Sequence, residues 1–148
     1  MEYKAYYVEE RDGVFSSSIQ SLEIPEPQDD ELLISVSYSS LNYKDALCAT
    51  GVKGVAASYP FVPGIDAVGT VAKSNSDAFH EGDKVICSGY KLGMSANGGF
   101  GSLICVPADW VVHLPSAMSD FEAMSYGVAG LTSAAVSYTH LTLPTRRG

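Results

Sequence analysis

The sequence contains no long hydrophobic run and no leader pattern at its start. Its 148 residues include no stretch near the roughly 18 consecutive apolar residues that indicate a membrane-spanning helix. The first residues, MEYKAYYVEERDG, also lack the basic segment followed by an apolar segment that is typical of a signal peptide. We therefore expect a cytoplasmic protein with no membrane partner.

Basic residues are scarce as well. Nine Lys and Arg stand against 17 Asp and Glu, which gives a net charge of −8. Because binding to nucleic acid phosphates depends on clustered Lys and Arg, a nucleic acid is not an expected partner. Hydrophobic residues make up 46% of the chain, which is enough for the core of one globular domain.

Cysteine is also rare, and the spacing of the cysteines does not match a metal-binding motif. The three cysteines, Cys48, Cys87 and Cys105, include no CxxC pair. An odd number at wide spacing indicates neither a disulfide framework nor a zinc knuckle. Free cysteine usually behaves as a small hydrophobic residue, so all three are predicted to be buried reduced thiols.

Most of the chain shows the pattern of short β-strands. Tyr3–Val8 and Val14–Ile24 are rich in aromatic and β-branched residues and flank a turn at residues 10–13, which predicts a hairpin. Residues 32–38 alternate apolar and polar side chains, as a half-buried strand does. Further strands are predicted at residues 65–72, 84–87, 102–106 and 110–114. Short strands at this spacing indicate a barrel or a sandwich.

A short helix and a turn place two polar residues at the ends of elements. Residues 43–49 are predicted to form a helix with Asn42 as its N-cap and Asp45 three residues later. A Pro/Gly-rich turn then leads to Asp66 at the start of a strand. Either residue alone could be an ordinary cap or turn residue, since Asn and Asp are favoured there. The pair also offers an amide and a carboxylate to one site, and both interpretations remain open at this point.

The pattern changes to helical at Ser119. A capping-box sequence, SDFE, starts a helix that is expected to reach Val136. Gly127 and Gly130 lie inside it and are expected to mark a break or a close contact, because glycine destabilises a helix interior by about 1 kcal/mol. Residues 137–148 fit poorly with what precedes them, and residues 138–144 have a strand-like alternation. We expect them to be a foreign or truncated tail.

Five segments, taken in order, resemble landmarks of a known family. They are SSLNYKDALCATG, PFVPGIDAVGTV, FHEGDKVI, GGFGSLICVPADWVVHLP and YGVAGLTSAA. They look like the zinc-free quinone oxidoreductases of the medium-chain dehydrogenase/reductase superfamily, and most of all like its acryloyl-CoA reductase group. The resemblance extends from about Tyr3 to Ala135. It implies a mainly β fold, a GroES-like partly open barrel with short helices, truncated before the family's Rossmann domain.

The resemblance also implies a domain organisation and an activity. Residues 1–118 would form the GroES-like catalytic domain, 119–136 the start of the connection to a missing nucleotide-binding domain, and 137–148 the tail. No GxGxxG motif occurs in the sequence. The implied activity is NADPH-dependent hydride transfer to a small-molecule substrate, either a quinone or an α,β-unsaturated carbonyl compound or thioester such as acryloyl-CoA. The full-length family member would be a homodimer.

Site residues follow from the same resemblance. Asn42 and Ile65 occupy positions where zinc enzymes of the superfamily have Cys and His, so no metal is predicted. Asn42 would donate a hydrogen bond to the developing enolate, and Asp66 would orient a partner or a water. Tyr43 would stack on the nicotinamide, and Thr132 is expected to contact the cofactor.

A second hypothesis is a self-standing GroES-like binding or co-chaperone module without catalysis, because a fold does not fix a function. Under the enzyme hypothesis the chain alone is expected to be inactive, since hydride transfer needs both reactants held together.

Overall fold

A computed structural model describes the backbone of residues 1–141, with side chains described through Gly130 and at residues 133 and 134. A short 3-10 turn over Ala108–Trp110 precedes the last strand. The strands and helices of the described part are β1 Glu2–Arg11, β2 Val14–Glu23, β3 Glu31–Tyr38, α1 Tyr43–Ala49, β4 Asp66–Ser74, β5 Lys84–Ser88, β6 Leu103–Pro107, β7 Val111–His113 and α2 Asp120–Leu141.

The first two strands form the predicted hairpin. Arg11 pairs directly with Val14, so the turn consists of only Asp12 and Gly13. Both residues have positive φ angles, 53° and 77°, as a two-residue turn between twisted strands requires. The turn is therefore shorter than the predicted residues 10–13, because β1 continues to Arg11.

The other five strands form one antiparallel sheet in the order β6-β3-β4-β5-β7. The hairpin joins the rest of the chain through backbone hydrogen bonds, including Tyr6 N–H to Phe100 (2.8 Å) and Val8 N–H to Phe61 (3.0 Å). The sheet curls around an apolar core, and the prediction of a mainly β, partly open barrel with short helices is confirmed. Buried core residues on the five strands are Leu32, Ile34, Ala67, Val71, Val85, Cys87, Ile104, Val106 and Val111.

At Gly69 the backbones of β3 and β4 approach each other closely, as the position of this glycine inside a strand predicts. A Cβ atom at Gly69 would lie 2.0 Å from the backbone oxygen of Ser35 on β3. The β3–β4 pairing also changes register twice, between Leu33 and Ile34 and again between Val36 and Tyr38. These irregularities increase local twist and help the sheet to curl.

The prediction that all three cysteines are buried is wrong for Cys105. Cys48 and Cys87 are buried, but Cys105 is only partly so. Side chains along β6 alternate between the core and the outside, and Cys105 lies on the outer side of this edge strand, 3.6 Å from a carboxylate oxygen of Glu31. Burial raises the pKa of Cys87 to about 12, and burial together with Glu31 raises the pKa of Cys105 to about 12.

The helix α2 begins with the predicted capping box and breaks at the predicted glycine. Glu122 accepts from the Ser119 N–H at 2.8 Å. Gly127 has non-helical angles, φ 50° and ψ −156°, which kink the helix. The helix then continues to Leu141, so residues 138–141 do not form the strand that their alternation indicated. The alternating stretch at residues 138–144 is short, and short runs of this kind are ambiguous between helix and strand.

Residues 142–148 of the expected tail lie outside the described residues. Within residues 1–141, neither helix has the length and apolar character needed to span a membrane.

Candidate functional site

Asp66 lies at the first position of β4 and is completely buried. Its Oδ1 accepts from the Ser40 N–H at 2.9 Å. Its Oδ2 accepts from three groups, namely the Ser40 hydroxyl (2.5 Å), the Val128 N–H (3.1 Å) and the Asn42 Nδ2 (3.2 Å). All four partners are donors, and a carboxylate only accepts hydrogen bonds, so the residue type matches its surroundings.

Asn42 is held by its amide nitrogen. Because Asp66 has no hydrogen to donate, the Asn42 atom that faces it must be Nδ2 and not Oδ1. The second contact of Nδ2, to the backbone oxygen of Ser40, is long at 3.5 Å. The predicted N-cap position of Asn42 is confirmed, and the two polar residues singled out in the sequence are in direct contact.

Asp45 is a third buried polar residue, and sequence reasoning assigned it only a capping role. Its Oδ2 accepts from the Asn42 N–H at 2.8 Å, as that role requires. Its Oδ1 also accepts from the N–H groups of Gly64 and Ile65, each at 3.1 Å. Burial raises the pKa of Asp45, although the backbone N–H groups of Asn42 and Ile65 oppose the shift. Asp45 therefore ties α1 to the turn that delivers Asp66.

Two exposed apolar side chains flank Asn42 in the sequence. Leu41 is 82% exposed, and Tyr43 is 81% exposed. Tyr43 is therefore not a core residue of the part of the chain that the structure describes, and its expected contact with a cofactor stays a prediction. The side chain of Thr132 lies outside the described side chains, so its expected contact with a cofactor stays a prediction.

An apolar cavity of about 460 Å³ lies beside the site. Phe100 forms part of its wall. The ring of Tyr6 meets that of Phe100 edge to face, at 6.4 Å between centroids, and the Tyr6 hydroxyl is fixed by a 2.6 Å hydrogen bond to Ser17. The residues that line the cavity are Tyr6, Leu41, Asp45, Ala46, Ala49 and Phe100.

No group of three or more His, Cys, Asp or Glu side chains among the described residues is placed to hold a metal ion. The expectation that the protein uses no metal stays a prediction.

Comparison with known proteins identifies relatives along nearly the whole chain. YhfP of Bacillus subtilis, provisionally named a quinone oxidoreductase, is 41% identical over 89% of this chain. The acrylyl-CoA reductase AcuI of Ruegeria pomeroyi is 37% identical over 84% of it. This chain covers 40% of the length of YhfP and 38% of the length of AcuI.

Solved structures give the same result. The YhdH oxidoreductase from Salmonella enterica, solved in complex with NADP, matches with a TM-score of 0.87 and 37% sequence identity. The match covers 92% of this chain and 42% of the YhdH chain. The Bacillus subtilis protein YhfP, solved with NAD bound, matches with a TM-score of 0.88 and 39% sequence identity. The match covers all of this chain and 46% of the YhfP chain.

The family model that matches is the alcohol dehydrogenase GroES-like domain, over residues 28–116. This range includes β3 to β7 and the whole contact between Asn42, Asp45 and the turn before Asp66. With the sequence, the curled sheet and the relatives in agreement, the chain belongs to the GroES-like domain family of the medium-chain dehydrogenase/reductase superfamily, in the branch that includes YhfP and AcuI.

Proposed function

We propose that the chain is the N-terminal catalytic part of an NADPH-dependent oxidoreductase. Its substrates would be quinones or α,β-unsaturated carbonyl compounds and thioesters such as acryloyl-CoA. The observation that carries the proposal is the Asn42–Asp66 contact beside an apolar cavity, in a chain whose relatives are named for these two reactions. The coverage of about 40% supports the view that a nucleotide-binding domain would follow residues 1–118 and the connection at 119–136.

Asn42 is the residue that we assign to the substrate oxygen. A bound NADPH would supply the hydride, and negative charge would then develop on the carbonyl oxygen of the substrate, where preorganised donors are most effective. One hydrogen of the Asn42 amide is directed at Asp66. The other makes only the 3.5 Å contact to Ser40, and Asn42 is partly exposed, so a substrate oxygen bound next to it can replace that weak partner.

Asp66 is assigned an orienting role. It has no exposed surface, and its carboxylate oxygens are occupied by donors of the chain itself. A side chain in this state cannot contact the substrate directly. We therefore place Asp66 behind Asn42, where it fixes the orientation of the amide that we assign to the substrate oxygen.

Tyr43 fits a contact with the cofactor. Its ring is exposed next to Asn42 and offers a planar surface on which a nicotinamide could stack. Thr132 is proposed as a further contact from α2. Related structures contain NADP in one case and NAD in another, so the preference for NADPH belongs to the proposal. We also propose that the full-length protein is cytoplasmic and forms a homodimer.

The proposal is tested by titrating NADPH, followed by fluorescence, into this chain and into the same chain extended to the end of its gene. We expect tight binding only in the extended chain, and NADPH oxidation there with acryloyl-CoA or a quinone. No binding in the extended chain would overturn the proposal. Robust NADPH oxidation by the 148-residue chain would contradict the inactivity expected of it.

The role of Asn42 has its own test in the extended enzyme. Asn42→Ala removes the donor to the developing negative charge and should lower kcat by about 10²–10³-fold. The Km for NADPH should change much less, because Asn42 is assigned to the substrate. A variant with unchanged kcat would remove Asn42 from the mechanism.

A further inference from the structure

The kink in α2 brings the backbone of the helix onto Asp66. At Gly127 the chain leaves the helical conformation, and Val128 begins the second half of α2. The Val128 N–H donates to Asp66 Oδ2 at 3.1 Å. A buried carboxylate is a favourable acceptor for an N–H at the start of a helical segment, because the positive end of the helix dipole lies there.

The contact requires glycine at position 127 for two reasons. Its φ of +50° is one that other residues rarely adopt. In addition, a Cβ atom at this position would lie 2.3 Å from the Ser40 hydroxyl and 2.8 Å from Asp66 Oδ2. Any side chain would push apart the two groups that meet there.

One oxygen atom therefore connects three parts of the chain. Asp66 Oδ2 receives the Ser40 hydroxyl and the Asn42 amide from the loop that follows β3, and the Val128 N–H from α2. These donors share the acceptor directions of a single carboxylate oxygen. Removing or displacing one of them changes the position that is available to the others.

We propose that Ser40 and Gly127 are positioning residues that, with Asp66 and the Val128 N–H, set the orientation of the Asn42 amide. We call these five residues the Asp66 cluster. Through it, the direction in which α2 leaves the barrel is coupled to the orientation of the Asn42 amide. Only the role of Asn42 toward a substrate rests on the proposed function, because the cluster itself is a property of this chain.

The donor pattern explains why the acceptor is a carboxylate. Asn at position 66 would have to place its NH₂ group at one of the two oxygen positions. At Oδ2 it would face the Asn42 amide and the Val128 N–H, and at Oδ1 it would face the Ser40 N–H. Each orientation sets donor against donor, so even this isosteric change would disturb the cluster.

The test is nuclear magnetic resonance on the ¹⁵N-labelled 148-residue chain, with no cofactor or substrate. The side-chain NH₂ signals of Asn42 are assigned by their disappearance in Asn42→Ala. Ser40→Ala removes one donor to Oδ2 with little change in volume, and Gly127→Ala adds the clashing Cβ. In both variants we expect the Asn42 NH₂ signals to shift and the Val128 amide to exchange about tenfold faster. Amides of β3 at residues 32–34 should be unchanged.

Two matched controls separate the cluster from general effects. Gly13→Ala, at the β1–β2 turn, is also made at a positive φ, +77°, but its Cβ would have no atom within 4 Å. Ser95→Ala changes an exposed serine on the loop before Gly98. Neither control should move the Asn42 or Val128 signals.

Unchanged Asn42 and Val128 signals in Ser40→Ala would overturn the proposal. A uniform rise in exchange across the sheet in that variant would overturn it as well, because it would indicate a purely structural role. This experiment does not test the proposed reductase function. That function is tested separately, by the NADPH titration.

Discussion

At the scale of single residues, the buried carboxylate of Asp45 is expected to contribute to the stability of the fold. It is 1% exposed and accepts three backbone N–H groups, from Asn42, Gly64 and Ile65. A neutral amide has only one acceptor oxygen and would place its NH₂ group against at least one of these donors.

We therefore expect Asp45→Asn to lower the free energy of unfolding by about 1–3 kcal/mol, the cost of a buried group left without its partner. Urea unfolding followed by circular dichroism measures the difference. Asp29→Asn, at an exposed position, is the control and should change the stability by less than about 0.5 kcal/mol. Equal stabilities of the two variants would contradict the role of Asp45.

At the scale of elements, the start of α2 is fixed to the sheet by an ion pair. Lys84 on β5 contacts Asp120 at 2.7 Å, and the Lys84 ammonium lowers the pKa of the Asp120 carboxyl. Ala123 and Met124 then bury against Val68 on β4. The first half of α2 is thus attached to two neighbouring strands before the kink.

The Lys84–Asp120 pair predicts a pH dependence. Because the pKa of Asp120 is lower in the folded than in the unfolded chain, its contribution is present above the usual carboxyl pKa and is lost as the pH falls through the lowered value. The difference in unfolding free energy between the wild type and Asp120→Asn should therefore shrink in acid. We expect it to be less than about 1 kcal/mol at neutral pH, because Lys84 is half exposed.

Urea unfolding from about pH 6 to about pH 2 provides the measurement. Asp77→Asn, at an exposed position, is the control and should show no such trend. A difference that grows as the pH falls would contradict the assignment.

At the scale of the whole molecule, α2 leaves apolar surface uncovered among the described residues. Phe121 and Tyr126 are 64% and 65% exposed. A cavity of about 270 Å³ between α2 and the strands β5 and β7 is lined by apolar side chains that include Ile86 and Met124. Exposed apolar patches of this kind favour association.

We expect the 148-residue chain to self-associate as its concentration rises and to bind the dye anilinonaphthalene sulfonate. Phe121→Ser should reduce both effects, and Val14→Ser, an exposed apolar position at the hairpin turn, should not. Light scattering coupled to size-exclusion chromatography measures the association. A concentration-independent monomer would contradict this prediction and would also argue against a ring-forming co-chaperone.

The sequence predicts local features of this fold well and distant contacts poorly. The strand at residues 32–38, the hairpin turn and the N-cap at Asn42 all depend on neighbours within a few positions, and each is present. The turn is two residues shorter than predicted, and Tyr38 at the end of the strand is 48% exposed. The contact of Asp66 with Val128, across 62 positions, has no such local signal. The same holds for the contact of Asp45 with Gly64, and for Cys105, whose exposure depends on the edge position of β6.

The position of Val128 in the chain sets an order of events during synthesis. All seven strands are complete once His113 has emerged from the ribosome, whereas the Asp66 cluster also needs the turn of α2 that starts at Val128. Domains fold as units while the rest of the chain is still being made, and contacts between distant residues form late. A nascent chain that stops before Val128 would therefore have a finished barrel in which Asp66 lacks one of its four donors, so the site is completed after the scaffold that carries it.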